Sequence, residues 1–139
     1  MQSKYLKAVV AGMIGALVMS AVGLWGAPMM GMEKMNPADM LAMKMGGSAV
    51  IGWLAHLMIG AALAVIYVGV AASRLPGPPA FRGALFSVAP WLVAQVVMMP
   101  IMGMGLFSGS LALAMGSLIG HLIYGAVVGG IVGVPYAPA

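Results

Sequence analysis

Long apolar stretches alternate along this chain with short polar or proline-rich breaks. Four stretches, at about 8–27, 48–73, 81–102 and 110–134, carry almost no charge. A helix rises about 1.5 Å per residue and needs roughly 20 apolar residues to cross the hydrocarbon of a bilayer, so each stretch predicts a spanning helix. The first follows a short basic start, Met1 to Lys7, but is longer than a signal-peptide core and reads as a span. Between the first two stretches lies a polar, methionine-rich segment, Pro28 to Gly47, holding Glu33, Asp39, Lys34 and Lys44. In it, Asn36-Pro37-Ala38-Asp39 predicts a helix start, with Asn36 as cap, Pro37 at the first helical position and an acid in the first turn. Gly46-Gly47 predicts its end, giving a short interfacial helix over about 37–45. Arg74-Leu75-Pro76-Gly77-Pro78-Pro79 breaks the second span. Pro90 predicts a kink in the third, and a tight turn at Gly105–Gly109 leads to the fourth. The tail, Pro135 to Ala139, predicts no element.

Composition turns this pattern into a class. Of the 139 residues, 63% are hydrophobic and 6% charged, and the mean hydropathy is +1.11. Soluble domains carry about a quarter charged residues, so a soluble enzyme is excluded. The expectation is one all-α transmembrane domain over 1–139, in contact with the lipid bilayer.

The net charge of +4 could point to nucleic acid, but the six basic residues are scattered at helix ends, which argues against that partner. They set topology instead. Lys4, Lys7, Arg74 and Arg82 fall on one side, predicted cytoplasmic, so both termini are expected inside and the methionine-rich loop outside. Trp25 and Trp53 then fall near the outer interface and Tyr5, Tyr67 and Tyr136 near the inner one, as an aromatic belt. Trp91 and Tyr124 lie deeper and are expected to pack in the core, with lining of a cofactor pocket as the alternative. The absence of cysteine excludes disulfides, thiolate metal sites, iron–sulfur clusters and covalently attached haem.

Two motifs occur twice. His56-Leu57-Met58-Ile59-Gly60-Ala61 matches His121-Leu122-Ile123-Tyr124-Gly125-Ala126, and Pro28-Met29-Met30-Gly31-Met32 matches Pro100-Ile101-Met102-Gly103-Met104. Their common order implies a duplicated two-helix hairpin, with the seven-residue difference in offset absorbed by the first outer loop. Hairpins of two spans share one orientation, so the pseudo-twofold axis runs along the membrane normal. His56 and His121 are then expected at equal depth.

Residues four apart share a helix face. Gly52, His56, Gly60 and Ala64 form one face, and Ser117, His121, Gly125, Gly129 and Gly133 another. Small residues at this spacing mark helix–helix contacts in membranes, so both histidines point into the bundle. An ionisable group there is a functional hypothesis. The sharp reading is a b-type haem held between His56 and His121, with Gly60 and Gly125 making room for the macrocycle and Gln95 supporting a ligand. The plain reading is hydrogen bonding of each imidazole to a carbonyl, Ser117 or Gln95. Two histidines without carboxylate or thiolate cannot complete a zinc site, and spans without charge beyond their ends disfavour a proton pump. Methionine thioethers select Cu(I), which makes Met29, Met30, Met32, Met102 and Met104 a copper alternative, against their use as flexible apolar filler. No nucleophile–base–acid set and no phosphate loop occurs, so no enzyme is expected.

Four spans with H-L-x-x-G-A in the second and His-Leu-Ile-Tyr-Gly in the last resemble a group of small bacterial membrane proteins classed as a domain of unknown function. The resemblance implies a bacterial inner-membrane location and no particular activity. The expected function is a subunit of a larger membrane complex, respiratory or redox in kind, holding a haem for electron transfer and packing against other subunits or a second copy. The alternatives are a cofactor-free accessory subunit and a small copper or solute transporter.

Overall fold

The computed structural model describes residues 2–133. The expected end of the fourth span at Val134, the tail and Tyr136 lie outside them. Four helices are long and apolar enough to cross a membrane: α1 (Ser3–Met29), α3 (Ala49–Ala71), α4 (Pro79–Ile101) and α5 (Leu111–Val132). The short α2 (Pro37–Lys44) follows α1. Asn36 caps α2 by accepting the Ala38 N–H at 3.2 Å, with Pro37 first in the helix, as the sequence predicts. Ser48 and Ser110 cap α3 and α5 in the same manner, each accepting an N–H three residues on at 3.4 Å.

Packing places the helices in the order α3–α1–α5–α4 around the bundle, while α2 lies against the start of α3. Lys7 Nζ donates to the Val132 carbonyl at 3.2 Å, so the start of α1 and the end of α5 share one end, the terminal end. The opposite, loop end carries residues 30–48 and 102–110.

The duplication is visible in backbone geometry. α1 widens into a π-helical turn at Val22–Gly26 and α4 at Ala94–Met98, each followed by three α-helical residues, Ala27–Met29 and Met99–Ile101. Every one of these bounds is displaced by the 72 residues that separate the two methionine motifs. The cause is Pro28 and Pro100, whose rings clash with the carbonyl four residues back in a regular helix; a wider turn relieves the clash. Gly31 and Gly103 then stop the helices at φ 77° and 81°, their N–H groups on the carbonyls of Pro28 and Pro100 at 3.0 Å. Positive φ suits glycine, and the pattern closes a helix C-terminus. The repeated Pro-x-Met-Gly-Met is thus a helix stop. Pro90, by contrast, lies inside the α-helical stretch Pro79–Val93.

Each hairpin crosses at a pair of glycines. A Cβ on Gly12 would strike the Gly60 carbonyl, and one on Gly83 the Gly125 carbonyl. Gly60 and Gly125 are the equivalent glycines of the two His motifs, so the same residue closes each hairpin. A third glycine contact seats α2, whose Ala38 carbonyl and Ala42 Cβ occupy the space beside Gly52. The halves differ in their connections. The first, from Gly31 to Ser48, includes α2; the second, from Gly103 to Ser110, is a short left-handed turn. His56 lies eight residues past its cap and His121 eleven, about 12 and 17 Å along their helices.

Tyr67 departs from the expected belt. It is fully buried at the terminal end, against Phe86 at 5.4 Å between ring centroids, with its hydroxyl donating to the Pro79 carbonyl at 3.5 Å. There it joins α3 to α4, which pack together at that end and diverge towards the loop end.

Candidate functional site

Because α3 and α4 diverge, the loop half of the bundle holds a cavity of about 880 Å³. Its walls are largely apolar, including Ile59, Leu63 and Ile66 of α3 and Phe86, Ala89 and Val93 of α4. His56, His121, Gln95, Ser117 and Tyr124 supply polar groups at depth, and the methionine-rich loop covers the mouth with Glu33, Lys34 and Asp39. Ligand sites have this character: a few hundred to about 1,000 Å³, apolar walls and a few converging polar groups.

The two histidines, predicted as a matched pair, are engaged differently. The predicted face of α3, Gly52, His56, Gly60 and Ala64, is its buried face. Nε2 of His56 lies 3.2 Å from the Ala16 carbonyl and 3.0 Å from Ser20 Oγ, both on α1. A carbonyl only accepts, so Nε2 carries the proton and Nδ1 the lone pair. Trp53 packs edge-on at 6.1 Å. His56 is therefore tied to the neighbouring helix.

His121 is half-buried, and its Nδ1–H donates to the Ser117 carbonyl one turn back at 2.8 Å. That bond fixes the opposite tautomer, with the lone pair on Nε2, the arrangement that metal-ligating histidines use. Among the described residues Nε2 has no hydrogen-bond partner, and since no buried side-chain nitrogen or oxygen among them lacks one, it is accessible; His121 lines the cavity, as does His56, whose Nδ1 is accessible by the same reasoning.

A polar chain supports His121. Ser108 Oγ donates to Gln95 Oε1 at 2.8 Å, Gln95 Nε2 donates to Ser117 Oγ at 3.3 Å, and Ser117 Oγ lies 3.5 Å from His121 Nδ1. Gln95, predicted as a supporting partner, is buried and acts through Ser117. Ser108 reaches it because Phe107 and Ser108 adopt positive φ, 51° and 59°, in the turn before α5. Left-handed backbone at two successive non-glycine residues is uncommon and persists where surroundings hold it; here Phe107 packs on Trp91 at 6.2 Å. Tyr124, expected as core, is buried and donates to the Gly60 carbonyl at 2.6 Å, joining the second His motif to the first. Trp91 is half-buried and donates to the Ala114 carbonyl at 3.0 Å.

The sequence marks both histidines and Gln95 but not their partners Ser20 and Ser108. No spacing rule ties Ser20 to His56, which meet only through the α1–α3 crossing. Of the predicted copper set, Met30, Met32, Met102 and Met104 line the cavity and Met29 does not. Met29 is 88% exposed, Met30 56% and Met104 39%, and the motif that contains them ends helices. Groups of three or more His, Cys, Asp or Glu positioned for a metal are absent among the described residues.

A duplicated hairpin of four membrane-length helices around a histidine-lined apolar cavity defines a small multi-pass bundle of the parallel-repeat kind. The chain belongs to the family of unknown function DUF6789, whose model matches residues 2–137. No curated protein and no solved structure matches it.

Proposed function

We propose that this protein is a small multi-pass subunit of a larger membrane complex, in a bacterial inner membrane with both termini cytoplasmic, and that it carries a flat apolar cofactor in its cavity for electron transfer. A b-type haem on His121 is the occupant that the residues favour. The observation carrying this reading is the His121 tautomer beside the cavity: Nδ1–H is held by a carbonyl and Nε2 is free. A haem brings four nitrogens, so it needs axial imidazole alone, and the absence of a carboxylate cluster counts less against it than against a bare metal ion. The apolar walls receive the macrocycle, and Lys34 and Asn36 at the mouth offer polar partners to carboxylates reaching the surface. His56 is held back by Ala16 and Ser20, which makes it a neighbour of the site rather than an equal second ligand. When bound, such a haem would supply a one-electron centre; this chain's part is to orient its ligand, exclude water and set the polarity around it.

Haem titration into purified protein tests the reading. We expect stoichiometric uptake with a sharp Soret band, abolished in His121→Ala and retained in His56→Ala. Equal uptake by wild type and His121→Ala contradicts it.

A second reading has its own support. The repeated H-L-x-x-G-A glycines are the hairpin crossings, and His56 is satisfied within the bundle, so the motif serves packing in both copies. A cofactor-free accessory subunit follows if the cavity takes up no haem and His121→Leu leaves assembly of the complex intact.

A further inference from the structure

Beside His121, the cavity wall holds a second chemical environment. We propose that it binds one soft monovalent cation, Cu(I), between the thioethers of Met32, Met35 and Met19. The sulfurs of Met32 and Met35 lie 3.5 and 3.3 Å from the single point where a Cβ on Gly116 would stand. One helical turn along the same face of α5, Met19 lies over Gly120, its Cγ and Cε 3.3 and 3.6 Å from the corresponding point. The two glycines leave a hollow on α5 into which three methionines from two other segments converge.

The backbone that carries two of these three side chains is held in place. Met35 N–H donates to the Gly23 carbonyl and Met32 N–H to the Ala27 carbonyl, both at 3.0 Å, so the segment before Asn36 is stitched to α1. Thioether placement of this kind needs little reorganisation on binding.

Methionine as apolar filler is the competing explanation. Filler would be spread over the helices, yet ten of the 16 methionines line this one cavity. Thioethers are soft, neutral ligands that select Cu(I), while carboxylate and water suit the hard divalent ions. Glu33 and Asp39 lie at the mouth, where negative charge raises the local concentration of a cation, partly offset by Lys34. The residues differ from the motif methionines, of which only Met32 belongs to the site.

The test uses full-length protein in detergent, with Cu(I) kept reduced by ascorbate and titrated against a chromogenic Cu(I) chelator. We expect one equivalent bound by wild type. Affinity should fall at least tenfold in Met32→Leu/Met35→Leu and stay within twofold in Met29→Leu/Met45→Leu, whose side chains are exposed. Leucine keeps the apolar volume, but a second measurement needs no variant of the site. With 13C-methyl methionine in the wild type and Ag(I) as a redox-inert probe, the methyl resonances of Met19, Met32 and Met35 should shift first, together and saturably. Equal affinity in both double variants, or shifts spread evenly over exposed methionines, overturns the proposal. Haem uptake is read in the same variants, and loss of Cu(I) affinity in Met32→Leu/Met35→Leu with haem uptake retained distinguishes failure of one reading from failure of the other.

Discussion

At the scale of single residues, two histidines from one ancestral motif have been put to different uses by their neighbours. His56 meets a carbonyl and a serine of α1, whereas His121 turns its Nδ1–H to its own helix. Tyr124 holds the two motifs together through the Gly60 carbonyl. Tyr124→Phe leaves that interhelical hydrogen bond unmade, and bonds of this kind in membrane bundles contribute about 0.5–2 kcal/mol. We expect a correspondingly lower thermal midpoint in detergent with haem uptake little changed. A midpoint equal to that of wild type shows that the bond contributes nothing. The histidine positions and Gln95 were legible in the sequence, because ionisable and amide groups are rare in apolar spans. Their partners were not, because Ser20 and Ser108 meet them only through helix crossing and a left-handed turn.

At the scale of elements, glycine pairs decide how closely each hairpin closes. A Cβ on Gly83 collides with backbone that cannot move aside, so Gly83→Ala must separate α4 from α5, at a cost of about 1–3 kcal/mol or more by the usual measure of overpacking. Gly130, with open space beside it, is the control, and Gly130→Ala should be neutral or slightly stabilising. Equal melting of the two variants in detergent contradicts the crossing geometry. Spans and the α2 cap were readable because hydropathy, proline and capping residues act locally. Span ends shifted by a few residues: α1 begins earlier and runs past Pro28, because a π-turn accommodates the proline instead of ending the helix. The repeated methionine motif was visible as a repeat, but its meaning needed the backbone, which shows a helix stop. Tyr67 was misplaced because an aromatic near a span end fits either a lipid interface or a helix junction, and only packing separates them.

At the scale of the molecule, the tandem hairpin explains why a cavity exists. Each hairpin is closed by its own glycines and α1 packs on α5, but α3 and α4 meet only near the terminal end, which leaves the space between them open towards the loops. Orientation follows from charge. The cysteine-free chain makes it testable, with Met45→Cys at the loop end and Ser73→Cys at the other, both exposed. In intact cells a membrane-impermeant maleimide should label Met45→Cys alone, and Ser73→Cys only after permeabilisation; the reverse pattern contradicts cytoplasmic termini. The most direct test of the central claim, that His121 presents a ligand to a cofactor in this cavity, is an absorption spectrum of the protein purified from haem-replete cells, before and after dithionite. The account predicts a Soret band and split visible bands on reduction, lost in His121→Ala and kept in His56→Ala. A featureless spectrum, or one indifferent to His121, contradicts it.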